Sequence, residues 1–165
     1  MTILGISVGT TRTAVCVLQD GVLLDREIHN YTAPWSEWKM RIIVNRYKRY
    51  VVKRKVSAIV VKIPPLESHS KAVKLLIQRI EKLAKDHGCE FDLITKRELK
   101  HRTGAISTDD LIRYALLLHP ELATFGKNTH TDHLYSKKLF EAVMSAHTYR
   151  KMHRTRRFQP EPTKE

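Results

Sequence analysis

Ile3-Leu4-Gly5-Ile6-Ser7-Val8-Gly9-Thr10-Thr11 opens the chain, followed by Ala14 to Leu18, the pair Asp20-Gly21, and Val22 to Asn30. Two apolar runs rich in β-branched residues flank short turns in which Gly supplies positive φ. The first thirty residues therefore predict a three-stranded antiparallel meander. Ser7 stands near the end of the first strand.

Outward from the meander, Ala33-Pro34 breaks the third strand, and Ser36 can cap a helix over 37–53 with Glu37 at its positive end. Trp38, Ile42, Ile43, Tyr47, Tyr50 and Val51 recur at helical spacing and are expected to face the core. Lys39, Arg41, Arg46, Lys48, Arg49, Lys53 and Arg54 form the other face, which no acid interrupts. The near-continuous apolar run from Ser57 to Ile63, stopped by Pro64-Pro65, reads as a strand buried on both faces and hence parallel, with Lys62 the exception in it.

A helix over 70–87 follows, with Val73, Leu76, Ile77, Ile80, Leu83 and Ala84 as one apolar stripe and Gly88 as its stop. Phe91 to Thr95 reads as a further parallel strand, 96–102 as a short helix, and Thr108 as the cap of a helix over 109–118. The last helix is expected over 135–152, with Leu139, Phe140, Val143, Ala146 and His147 on its buried side. The fold class is α/β: a five-stranded mixed sheet, three antiparallel strands then two parallel, flanked by helices. Residues 1–152 form one domain, and 153–165 a basic, disordered tail.

The 165 residues carry 30 Lys and Arg against 17 Asp and Glu, a formal charge of +13. Such an excess is the electrostatic footprint of a protein that meets phosphate backbones, so nucleic acid is the expected partner; DNA is expected more than RNA, a preference that charge itself does not supply. No run approaches a membrane span, so no membrane partner is expected, and secretion is not expected either. Cys16 and Cys89 show neither metal spacing nor a framework of paired bridges, which points to a reducing compartment and a cytoplasmic location.

Three antiparallel strands, helix, parallel strand, helix, parallel strand and closing helices are the order of the ribonuclease H-like fold. Within it, Gly5-Ile6-Ser7-Val8-Gly9-Thr10, the buried fourth strand, Lys100 before the Gly-containing loop at 103–108, and the helix at 135–147 together resemble the RuvC-type Holliday-junction resolvases. The resemblance implies two divalent cations held by four carboxylates, since such metals polarise a phosphodiester, generate hydroxide and stabilise the leaving oxygen. It places those acids at Ser7, Lys62, Ser136 and Leu139, none of which is a carboxylate. It also implies a homodimer.

Three readings remain. In the first, the chain is a catalytically degenerate domain that binds nucleic acid without a cofactor through Lys39, Arg46, Arg49, Lys53, Lys62, Lys100, Arg102, Arg154, Arg156 and Arg157. Lys62, with Ser7 and Ser136, can then replace metal charge by side-chain charge, or it can simply reach solvent over a decayed pocket. In the second, a structure-selective endonuclease has rebuilt an Mg²⁺ or Mn²⁺ site from Asp109, Asp110, Asp132 or Glu141, although Asp109 and Asp110 are as readily partners of a helix dipole. In the third, the domain is a protein-interaction scaffold. Tyr47 and Tyr50 fall with the core stripe, Trp35 and Trp38 are expected to cover the sheet edge, and His130, Asp132 and His133 read as a polar loop or cap.

Overall fold

A computed structural model of the chain describes the backbone of residues 1–124 and 132–157, and the side chains of 1–123 and 137–154. Strands β1 (Thr2–Ser7), β2 (Arg12–Gln19), β3 (Val22–Asn30), β4 (Ala58–Ile63) and β5 (Glu90–Thr95) form one sheet in the order β3-β2-β1-β4-β5. The pairs β1–β2 and β2–β3 are antiparallel, while β1–β4 and β4–β5 are parallel. This is the mixed sheet expected from the apolar runs. The β2–β3 turn has positive φ at both Asp20 (49°) and Gly21 (87°), the geometry of the tight hairpin, and the Asp20 carboxylate also holds the N-terminal ammonium at 2.9 Å.

Helices α1 (Glu37–Arg54) and α2 (Lys71–Asp86) cover one face of the sheet; α3 (Lys96–Thr103), α4 (Thr108–Leu118) and α5 (Asp132–Arg157) lie on the other. The two-residue period of β1 divides its side chains. Leu4, Ile6 and Val8 join Tyr47, Ile59, Val61, Leu76 and Ile80 under α1 and α2. Ile3 joins Cys16, Val60, Ile94, Leu139 and Val143 under α5. Burial pushes the Cys16 thiol up to about 12, so it is a packed, unreactive group.

The capping chemistry follows the sequence closely. Ser36 accepts from the Lys39 N–H and Ser70 from the Val73 N–H. At α4 the cap is Ser107, which accepts from the Asp110 N–H, so Thr108 is the first helical residue and not the cap. Trp38 and Ile42 are exposed, against the expectation that both pack on the core: α1 buries the narrower stripe Met40, Ile43, Tyr47, Tyr50 and Val51. Trp35 alone of the two tryptophans packs against that cluster.

The largest difference is at the C-terminal end. The helix does not stop at 152; α5 runs to Arg157, so His153 to Arg157 are helical and not a disordered tail. A basic last turn complements the negative end of the helix dipole, which favours continuation. Among the described residues no helix is long and apolar enough to cross a membrane.

Candidate functional site

Ser7 and Lys62 are register partners on β1 and β4, at the carboxyl ends of two neighbouring parallel strands. Parallel partners project to the same face, and in open α/β sheets the crevice beyond such strand ends is where ligands bind. The hairpin around Ser7 is held from beneath. The Val8 N–H donates to the Lys62 carbonyl at 3.1 Å, the Thr13 hydroxyl donates to the Ser7 carbonyl at 3.2 Å, and Thr13 shares a 2.6 Å hydrogen bond with the buried Tyr47 hydroxyl.

The residue of α5 that enters this crevice is Glu141. Its side chain is only 6% exposed, and one carboxylate oxygen lies 2.8 Å from Lys62 Nζ and 3.5 Å from Ser7 Oγ, the outer limit of a hydrogen bond. The second oxygen lies 3.4 Å from Lys96 Nζ, at the start of α3. One turn before Glu141, Lys138 donates its ammonium to the Val8 carbonyl at 3.1 Å. Burial, followed by the Lys62 charge and, more weakly, Arg12, pulls the Lys138 amine down to about 8 against the opposing pull of Glu141.

Gly9 is required here by close approach, not by positive φ. A Cβ on it would sit 2.3 Å from the Arg12 carbonyl oxygen and 2.7 Å from Lys138 Nζ. The crevice is thus a single carboxylate contacted by two lysine amines and one hydroxyl, with a third lysine amine held nearby on the Val8 carbonyl.

One assignment on α5 is corrected. Leu139 is fully buried in the core under α5 and faces away from the cleft, because Glu141 is displaced from it by about 200° around the helix. The pair that reaches the cleft is Lys138 and Glu141, three residues apart; the Ser136 side chain lies outside the described residues. Nor does Lys62 reach solvent over a vacant pocket, since it is ion-paired to Glu141 and only 15% exposed. This donor set does not fit a pair of divalent cations, because Glu141 already has an ammonium at 2.8 Å and Ser7 and Lys62 contribute no carboxylate.

Of the alternative acids, Asp109 and Asp110 do not join Glu141 there. Asp110 accepts from the Ile106 N–H at 3.0 Å and pairs with Arg113 at the α4 N-terminus; that backbone bond, first among its causes, holds its carboxyl below the usual range. Asp109 is exposed in the same turn. The side chain of Asp132, like His130 and His133, lies outside the described residues. Among the described residues no three of His, Cys, Asp and Glu come together to hold a metal.

The basic positions separate into three kinds. Arg49, Lys53 and Arg154 are exposed, and Lys100 is half-buried. Arg46 and Arg102 are engaged within the fold: Arg46 lies 2.7 Å from His29 Nδ1 and over the Tyr31 ring, and Arg102 pairs with Asp92 and Glu98. Arg102 therefore does not flank the cleft; Lys96, at the other end of α3, does. Lys39 is buried and is not part of a cationic face, because its ammonium donates to the Tyr31 and Ala33 carbonyls at 2.9 and 2.7 Å and closes the loop into α1. The Arg156 and Arg157 side chains lie outside the described residues. Lys39→Ala should cost about 2 kcal/mol in urea unfolding, the scale of hydrogen bonds from a charged donor, while leaving nucleic-acid affinity unchanged.

Two solved structures share this architecture. RuvC of Thermus thermophilus superposes with a TM-score of 0.70 at 12% identity, covering 93% of this chain and 97% of that one. The same protein in complex with a Holliday junction substrate gives 0.69 at 13% identity, covering 93% and 96%. The chain has the RuvC fold. Coverage of nearly the whole of both chains means that the RuvC fold accounts for the complete sheet and the helices on both faces. The ribonuclease H-like architecture expected from the element order is thus the observed one. No protein-family model matches the sequence, and no curated protein does.

Proposed function

We propose that this chain is a catalytically degenerate RuvC-type domain that binds nucleic acid, DNA in preference to RNA, through basic groups and without a divalent metal. The observation that carries the reading is the donor set beyond the ends of β1 and β4, where Lys62 and Lys96 contact one buried carboxylate and Lys138 adds a third ammonium nearby. Ammonium groups with a hydroxyl are donors for phosphate oxygens, whereas metal-dependent cleavage needs acceptors in the same place. The +13 charge supplies the long-range attraction, and the exposed Arg49 and Lys53 on α1 provide further phosphate contacts. The solved complex of T. thermophilus RuvC with a junction supports nucleic acid as a ligand class for the fold.

The test is fluorescence anisotropy of the full chain with a duplex and a four-way junction across a salt series. Affinity should fall linearly on log axes, with a slope near 0.9 per phosphate neutralised. Negligible affinity for both at low salt would remove the reading. The same substrates with Mg²⁺ or Mn²⁺ are expected to stay uncut. Cleavage that disappears in Asp110→Asn or Glu141→Gln would instead assign a rebuilt metal site.

A further inference from the structure

We propose that the Ser7, Lys62 and Lys96 pocket is a site for one tetrahedral phosphate group, and that the Glu141 carboxylate occupies it as a built-in competitor. The inference rests on the reading of this cleft as an anion site and adds how occupancy is controlled. Glu141 holds its two oxygens as a bound oxyanion would: one against Lys62 Nζ at 2.8 Å and Ser7 Oγ at 3.5 Å, the other against Lys96 Nζ at 3.4 Å. Lys62 and Glu141 are largely buried, while Lys96, 36% exposed, is the group of this set that an anion from solvent meets first.

The local charge does not balance. Lys62 and Lys96 contact one carboxylate, and Lys138, bonded to the Val8 carbonyl, adds a third ammonium nearby, so that these four groups carry an excess of about two positive charges when all are ionised, in a site where desolvation strengthens each interaction. An ordinary structural ion pair would be neutral. A phosphate of one or two negative charges removes the excess, but only after the Glu141 side chain has left the two ammoniums. Gly9 contributes by leaving the space that the Lys138 ammonium fills beneath the hairpin.

A free phosphate ion and a backbone phosphodiester share this chemistry, so two probes are needed. Inorganic phosphate, at matched ionic strength in chloride, is titrated into the full-length wild type and Glu141→Gln, with binding followed calorimetrically; duplex DNA affinity of both is measured in parallel. The expected result is phosphate binding tightened roughly tenfold or more in Glu141→Gln, and lost again in the Lys62→Met/Glu141→Gln double variant. Equal phosphate binding in wild type and Glu141→Gln overturns the inference, and if both still bind DNA, the nucleic-acid reading stands without it. Tightened phosphate binding with no DNA binding in either protein leaves a free-phosphate site and removes that reading. Should Glu141→Gln be unfolded in chloride, phosphate must restore its circular dichroism signal; a variant equally unfolded in both salts also overturns the inference.

Discussion

Gly5→Ala should destabilise the protein by about 3 kcal/mol or more, the upper end of overpacking costs, and lower its urea midpoint accordingly. A Cβ at this position would lie 2.4 Å from the Ala142 carbonyl oxygen, 2.9 Å from Cys16 Sγ and 3.1 Å from the Ala146 methyl carbon. The first of these contacts cannot be relieved by a side-chain rotation, because it is backbone in the middle of α5. The strand cannot retreat either, since β1 is hydrogen-bonded on one side to β2 and on the other to β4. Relief requires α5 to lift from the sheet, which opens the core of Ile3, Val60, Leu139 and Val143. Cys16→Ala in the same chain should restore only a minor part of the loss, because the contact with Ala142 remains. A double variant as stable as wild type would mean that the helix backbone yields easily and that α5 is not fixed on β1.

The same close approach explains what the sequence could and could not reveal. The strand order and the helices were legible because Leu4, Ile6, Ile59 and Val61 follow strand periods and Val73, Leu76, Ile80 and Leu83 follow a helical one. Ser7 and Lys62 were legible as a pair only through the resemblance, which places an acid of the family at each; the parallel register of β1 and β4 sets the two side by side. The phase of α5 was not. From Leu139 to Tyr149 this helix is buried almost all round, between the sheet on one side and α3 and α4 on the other, so no polar stripe marks the direction of the cleft. A two-residue error there exchanges Leu139 for Glu141. The usable signal was the spacing of Lys138 and Glu141, a charge pair one turn apart inside an otherwise apolar segment.

Lys39 misled for a related reason. Its position in a run of cations assigns it to solvent, but the carbonyls it satisfies belong to the loop of Tyr31 and Ala33, whose course is set by tertiary structure. Trp38 misled in the other direction, since it was grouped with the core although it stands off the stripe of Met40, Ile43 and Tyr47 that α1 buries, about 140° around the helix from Ile43. Lys96 could not be assigned at all without coordinates, because nothing local links the residue after β5 to an acid on the last helix.

Glu141→Leu should cost about 3–5 kcal/mol, because it leaves Lys62 buried and uncompensated, while Glu141→Leu combined with Lys62→Met should recover most of that loss. The asymmetry follows from the environment: attraction between the 6% and 15% exposed partners offsets a large desolvation cost only while both are present. Urea unfolding of the two single variants and the double variant measures the coupling directly, and additive losses would mean that the 2.8 Å contact contributes little. Lys138 gives an independent readout. Its amine is held at about 8 in the fold against 10.5 unfolded, so the unfolded chain binds the proton more tightly between these values and stability gained from deprotonation appears as pH rises through that window. Glu141 is the influence that opposes this depression. Without it the lower edge of the window moves down from about 8, and Glu141→Leu should gain stability as pH rises through that lowered edge relative to the same variant carrying Lys138→Met. The comparison is needed because the raised thiol of Cys16 acts with the opposite sign above pH 9, where the unfolded thiol ionises first. A pH profile identical with and without Lys138 would show that its ammonium is hydrated and that the cleft is not the desolvated cationic site on which phosphate recognition depends.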